Sequence, residues 1–411
     1  MKKRNMKNIY NYSNNRMKSA LAFILVVMCI ILASCNNDDA RGMPVITKVT
    51  KTDPASIAKD STFTETYPGQ MIVIHGENFN DLQKVYFNGE EAYFNSNYTT
   101  SKSIIITVPE DAETAATNPD VPNTIRVVTS HGEATFSFRL LVDAPQIYSV
   151  SNEFANPGSY ITLYGKRFYV IDKVLFPGNL EGTNVTVKGD SILTVQVPHD
   201  LAVGGDLIIV NQFGRDTVSF HNTKGMICDF DEINTYGWGA TAVQDDEVAY
   251  PGNQGKYVTM ELANIGPWDN QWWNAGRQIF IKETRLIPEE ELTNSINDYA
   301  LKFEIYAKEP WNYGTLMINP RSAWAFLAPY RPWKVGASSS KPFSTSGWQT
   351  VTIPLNMFKT NNGSGSPAAS LSALLGDTGI GTFQFMFWND GEGTIDKFAI
   401  AIDNIRIVKH K

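Results

Sequence analysis

Residues 44–224 contain one β-pattern twice, and this internal repeat limits the possible folds more than any other feature of the chain. The first copy reads Pro68-Gly69-Gln70-Met71-Ile72-Val73-Ile74-His75-Gly76-Glu77-Asn78-Phe79. The second reads Pro157-Gly158-Ser159-Tyr160-Ile161-Thr162-Leu163-Tyr164-Gly165-Lys166-Arg167-Phe168. Pro68 stands to Pro157, Gly76 to Gly165 and Phe79 to Phe168 at a constant offset of 89. The offset holds at Val85-Tyr86-Phe87 against Val174-Leu175-Phe176, and falls to 82 by Gly132 against Gly214. Each copy alternates β-branched residues and interrupts them with Pro and Gly at short intervals, as a small sandwich requires. The glycines read as turn positions that need positive φ.

From Gly225 the composition shifts to Trp, Asn, Gly and Pro. All nine tryptophans of the 411 residues lie at or after Trp238. Strand-like runs cover 257–262, 299–307, 314–318, 349–353, 382–388 and 398–408. The one stretch that suggests a helix is 288–296, where Pro288 precedes three glutamates. So many strands in one C-terminal region predict a larger sandwich of jelly-roll kind, and the whole chain reads as all-β.

The N-terminus has a different character. Lys2, Lys3, Arg4, Lys7, Arg16 and Lys18 precede an apolar run over 20–33 and then Leu32-Ala33-Ser34-Cys35. This is the layout of an export signal, with Met17 as an alternative start. The apolar run is too short to span a bilayer comfortably. The small-small-Cys ending resembles a bacterial lipobox, which implies cleavage before Cys35 and acylation of its thiol. Asn36-Asn37-Asp38-Asp39 behind it resembles the surface-export signal of Bacteroidetes lipoproteins. With Cys29 removed and Cys35 lipidated, Cys228 stands alone, so the mature chain forms no internal disulfide and Cys228 reads as a small buried hydrophobe.

Removing 1–34 leaves 29 Lys+Arg against 42 Asp+Glu, a net charge of −13. That excludes the basic footprint nucleic acid needs and suits a neutral ligand. The histidines are scattered singly and form no metal site. Asp403-Asn404 is open to a structural Ca²⁺ or, as the simpler reading, to backbone hydrogen bonding. No cofactor-binding or zinc spacing occurs.

The tryptophans suggest a use. Sugar rings present flat C–H faces that an indole covers, and roughly 60 Å² at ~25 cal/mol/Å² is worth about 1.5 kcal/mol. Micromolar affinity needs about 8 kcal/mol, hence several platforms with polar neighbours. Two segments are rich enough. One is Gly266-Pro267-Trp268-Asp269-Asn270-Gln271-Trp272-Trp273-Asn274. The other comprises Trp311-Asn312-Tyr313 and the run from Trp324 to Tyr330-Arg331-Pro332-Trp333. In Phe383-Gln384-Phe385-Met386-Phe387-Trp388 the two-residue period sends the Phe residues one way and Gln384, Met386 and Trp388 the other. The expected glycan-binding set is therefore Trp272, Trp273, Trp311, Trp324, Tyr330, Arg331, Trp333 and Trp388. Trp348 reads as core, and Trp238 is open to either role.

The two copies resemble immunoglobulin-like IPT/TIG domains. The endings Phe398-Ala399-Ile400-Ala401-Ile402-Asp403-Asn404 and Gly347-Trp348-Gln349-Thr350-Val351 resemble strands of carbohydrate-binding jelly rolls. In domain order the chain resembles the B-type surface glycan-binding lipoproteins of Bacteroidetes polysaccharide-utilisation systems, whose C-terminal domain is named for xyloglucan binding. The expected division is 1–34 signal peptide, 35–43 acidic tether, 44–143 and 144–224 IPT/TIG-like spacers joined by a short Pro145-stiffened link, and 225–411 the binding sandwich. The resemblance implies non-catalytic capture of a plant-type polysaccharide of the β-glucan, xyloglucan or β-mannan class. It also implies a cell-surface place in the outer membrane, beside a transporter and a second glycan-binding lipoprotein. A structural or adhesion protein docking a protein through its Trp surface is the alternative. A glycoside hydrolase is disfavoured, because sandwich glucanases use Glu-x-Asp-x-x-Glu to set paired carboxylates and no Glu-x-Asp occurs in the chain.

Overall fold

The computed structural model describes residues 42–52, 63–239, 242–252, 255–336 and 339–410. The expected signal over 1–34 and the lipid-bearing Cys35 lie outside these residues. The chain divides into two compact units, 1–142 and 143–411.

The two copies of the repeat fold with the same strand order. In the first, one sheet runs Val45–Lys51, Met71–Glu77, Ser103–Thr107, Phe94–Thr99, and the facing sheet runs Glu90–Ala92, Leu82–Phe87, Thr124–Thr129, Gly132–Ser137. In the second, the corresponding sheets are Gln146–Val150, Tyr160–Lys166, Ile192–Gln196, Thr183–Lys188 and Leu180–Glu181, Ile171–Phe176, Gly205–Asn211, Gly214–Phe220. Each closes over its own core, centred on residues such as Ile74, Val85 and Val127 in the first and Leu163, Val174 and Ile209 in the second.

The Gly-x-x-Phe of each copy has a different cause from the one the sequence suggests. Gly69 and Gly158 do adopt positive φ, at 79° and 83°. Gly76 and Gly165 do not. A Cβ on Gly76 would lie 1.9 Å from the Val45 carbonyl oxygen and 2.4 Å from the Phe79 ring. On Gly165 it would lie 2.0 Å from the Gln146 carbonyl oxygen and 2.4 Å from the Phe168 ring. Each glycine makes room for a buried Phe that folds back under the first strand, so the motif is a packing device.

The C-terminal region is a two-sheet sandwich. In one sheet the long strand Ile395–Lys409 pairs with Tyr299–Ala307 on one side, and with both Val258–Ile265 and Met226–Cys228 on the other. Gln349–Pro354 completes that sheet. The second sheet runs Tyr236–Gly239, Gln278–Arg285, Ile380–Trp388, Thr315–Pro320, Ala328–Tyr330. Between the sheets lies the largest core, with Ile279, Ile281, Phe303, Leu316, Phe383, Phe385 and Phe387. Cys228 is free and fully buried, and Trp348 is buried against Tyr257 with its indole N–H on the Tyr250 carbonyl. The stretch expected as a helix forms two separate 3-10 turns, Glu289–Glu291 and Ile296–Asp298. A short helix, Leu371–Leu375, begins instead at Ser370, whose hydroxyl accepts from the Ala373 N–H. The Asp403 carboxylate accepts from the N–H and Nδ2 of Asn404, whose φ is 49°.

The second copy is not an independent spacer. Residues 151–154 are built into the C-terminal sandwich. The Arg406 guanidinium meets Glu153 at 2.8 Å and Glu304 at 2.8 Å, and Lys302 pairs with Glu153. The Thr350 hydroxyl accepts from the Glu153 N–H and donates to Glu304, both at 2.7 Å. The Thr350 N–H donates to the Ser151 carbonyl, and the Phe154 ring lies 4.7 Å from the Arg406 guanidinium. Every charge in the cluster has a partner, the condition under which burial of so many is tolerated.

Candidate glycan-binding face

The outer face of the Tyr236–Gly239 sheet is assembled by strand register. Phe383, Phe385 and Phe387 turn into the core, so Gln384, Met386 and Trp388 point outward, as the two-residue period requires. Pairing then sets neighbours beside each. Trp388 stands opposite Thr315. Met386 stands between Gln278 and Met317, and Gln384 between Phe280 and Asn319. Trp238 faces Phe280, and the two rings stack at 5.6 Å. Adjacent strands lie about 4.8 Å apart, so four strands offer a strip of roughly 15 Å.

Loops add aromatics above this strip. Trp272 and Trp388 pack on a small cluster of Met317, Leu327 and Met386. Trp272 in turn meets Trp324 at 4.7 Å and Trp273 at 5.9 Å. Trp273 is 58% exposed, Trp268 64% and Trp324 39%. The loop that carries Trp268 to Trp273 is held at both ends. The Asp269 carboxylate takes two bonds of 2.8 Å from Arg277, and that guanidinium holds the acid below its usual range despite partial desolvation. The Trp268 N–H donates to Gly391, and Asn389 donates to the Asp269 and Gly266 carbonyls. Trp268 and Trp324 adopt φ of 56° and 58°, a left-handed backbone that costs a bulky residue free energy and marks functional loops.

A polar group closes one end. Arg331 pairs with Asp390 and donates through Nε to the Thr315 hydroxyl, which itself donates to both Asp390 oxygens at 2.8 Å. At the other end Asn319 donates to Gln384 at 3.3 Å. The face is thus aromatic and carboxamide-rich. Its acids Asp269 and Asp390 are each neutralised by an arginine. Among the described residues no group of three or more His, Cys, Asp or Glu is placed to hold a metal ion.

The fold therefore brings together Trp272, Trp273, Trp324, Arg331 and Trp388 from the expected set. The other three, Trp311, Tyr330 and Trp333, pack in or against the main core. Trp311 is 1% exposed and sits in the main core among Tyr330, Phe387 and Phe398. An isolated bridge to Phe343 draws it inward. Tyr330 pairs with Leu316, so its ring turns inward onto Phe303 and Trp311, and burial pushes its phenol far up. Trp333 is half-buried against the core beside Tyr313, its indole N–H donating to the Gly314 carbonyl at 2.8 Å. The sequence leaves Trp238 open to either role and does not single out Phe280, Gln278, Met317 and Asn319. For Phe280 a signal existed, the alternation Gln278-Ile279-Phe280-Ile281; for the others the partner strand decides.

Sandwich, aromatic face and preceding immunoglobulin-like domains together define a β-sandwich binding module carried on small Ig-like units. Residues 220–409 match the surface glycan-binding protein B xyloglucan binding domain, and residues 55–138 match the IPT/TIG domain. In the order of these two matches the chain is similar to the B-type surface glycan-binding proteins. It is similar to an IPT/TIG domain-containing protein of Bacteroides ovatus, at 42% identity over 170 residues, which is 41% of this chain and 34% of that protein. The chain thus spans about a third of that relative's length. The surface glycan-binding protein PbSGBP-B from Prevotella bryantii shares the fold at a TM-score of 0.67 and 20% identity, over 90% of this chain and 99% of the other. SGBP-B from a complex xyloglucan utilization locus in Bacteroides uniformis does so at 0.51 and 21%, over 89% and 99%.

Proposed function

We propose that the protein binds a neutral polysaccharide without cleaving it, through the outer face of the Tyr236–Gly239 sheet. The observation that carries the reading is the convergence of Trp272, Trp273, Trp324 and Trp388 over buried carboxamides on one sheet face. Several indole platforms supply the stacking area that micromolar affinity requires, and amides take the hydroxyls. The name of the matched family supports a β-glucan backbone such as xyloglucan. Hydrolysis needs one acid kept protonated beside a second carboxylate, whereas the two face acids, Asp269 and Asp390, are each engaged in an ion pair with an arginine.

The proposal includes the cell surface. The lipobox-like Leu32-Ala33-Ser34-Cys35 supports an acyl anchor in the outer membrane, and the family supports delivery to an outer-membrane transporter together with a second glycan-binding lipoprotein. Affinity gels and calorimetry with xyloglucan, mixed-linkage β-glucan and galactomannan test the binding. Retardation with no release of reducing sugar is expected. No retardation and no heat with any of the three would end the glycan reading.

A further inference from the structure

Among the described residues, one buried side-chain polar atom on this face lacks a hydrogen-bond partner. Gln278 projects outward beside Met386, which stands beside Met317, so it heads an otherwise apolar row. It is 1% exposed. Its Nε2 donates to the Trp273 carbonyl at 3.4 Å, a long contact, and its Oε1 has no hydrogen-bond partner among the described residues. Turning the carboxamide over would leave the nitrogen in that place, so one end is orphaned in either orientation. Its neighbours differ, because Asn319 and Gln384 bond to each other. An orphaned buried amide is destabilising, and a Met or Leu at 278 would extend the Met386–Met317 row without that cost. Packing therefore does not explain the residue.

We propose that Gln278 is a ligand-contacting, specificity-determining residue whose free amide end hydrogen-bonds a hydroxyl of the bound sugar chain. The inference rests on the glycan reading above. A hydroxyl both donates and accepts, so it satisfies whichever amide end is turned toward it. The stretch 272–274 lies against Gln278, since the Trp273 carbonyl is the one hydrogen-bond partner of its side chain among the described residues. Between the pinned ends at Asp269 and Arg277, the bonds within that stretch are local turns, Trp272 N–H to Asn270 and Asn274 N–H to Gln271. Ligand binding shifts this stretch and gives the orphaned amide end a sugar hydroxyl as its partner.

The test uses the mature chain from residue 35, with the three soluble glycans above and calorimetry. Gln278→Met is expected to weaken binding tenfold or more while Tm stays level or rises. A residue with a purely structural role would lower Tm and leave affinity unchanged. Should Gln278→Met fail to fold, Gln278→Asn withdraws the amide by one methylene, and the same loss of affinity at wild-type Tm is expected. Hydrogen exchange adds a second readout. With saturating glycan the amides of 272–274 should exchange faster, and unchanged or greater protection there overturns the displacement. Wild-type binding with undiminished binding by the variant sinks the assignment of Gln278 alone. No binding by the wild type sinks the glycan reading itself and this inference with it.

Discussion

Trp311 donates its indole N–H to the Tyr313 carbonyl at 2.8 Å from inside a cage of Tyr330, Phe343, Phe387 and Phe398. Replacing it by alanine should cost about 3–5 kcal/mol, read as a lower Tm. Trp273 sits on the face with its ring largely in solvent. Trp273→Ala should leave Tm unchanged and weaken glycan binding about tenfold, the equivalent of one indole platform of ~1.5 kcal/mol. A drop in Tm at unchanged affinity would put Trp273 in the structural class of Trp311. His221 is a third instructive residue. Its ring stacks on Phe220 at 4.7 Å and Phe154 at 5.4 Å, and burial lowers its pKa despite the Ala155 carbonyl 2.8 Å from Nε2. A depressed histidine stabilises fully above the unfolded value of about 6.5, and that contribution is lost as pH falls through the folded value. His75 and His410 shift in the same direction. Tm should therefore fall on acidification below about pH 6.5, and His221→Gln should reduce that slope without abolishing it.

Strands and their pairings explain which parts of the face were legible. The alternation 383–388 assigns Phe to the core and Trp388 to the outside with no knowledge of partners, because the two-residue period is local. Tyr299–Ala307 and the strand through Gln349 are readable for the same reason. Loop tryptophans carry no such period, so Trp311 and Trp272 look alike in sequence. The charged cluster was invisible too, since Glu153 and Arg406 are 253 residues apart. Burial raises the Glu153 carboxyl, but Arg406 and then Lys302 outweigh it and hold the group below its usual range. Its stabilisation is present above the unfolded carboxylate range and fades as pH falls through the lowered folded value. Glu304 goes the other way, because complete burial outweighs Arg406. Glu153→Ala leaves Arg406 and Lys302 short of a partner and should cost about 3–5 kcal/mol in thermal or denaturant unfolding.

At the scale of the molecule, the second immunoglobulin-like copy and the C-terminal sandwich form one compact unit over 143–411. A fragment covering those residues should unfold in a single calorimetric transition and keep full glycan affinity. Two resolved transitions would mean that the Glu153–Arg406–Glu304 cluster does not couple them. The family model for IPT/TIG matches the first copy, whereas the second is recognised by its 89-residue offset and by identical strand order. Repeat, strand alternation, acidic balance and the confinement of tryptophan to the last region follow from the sequence by itself, since each depends on residue types at short or constant spacing. Tertiary structure decided which indoles are core and which are surface. It also decided that Gly76 and Gly165 are needed for space, and that the second copy is welded to the sandwich. Each of those outcomes depends on a chain segment arriving from far along the sequence, and burial in a loop is set by what arrives there rather than by any local period.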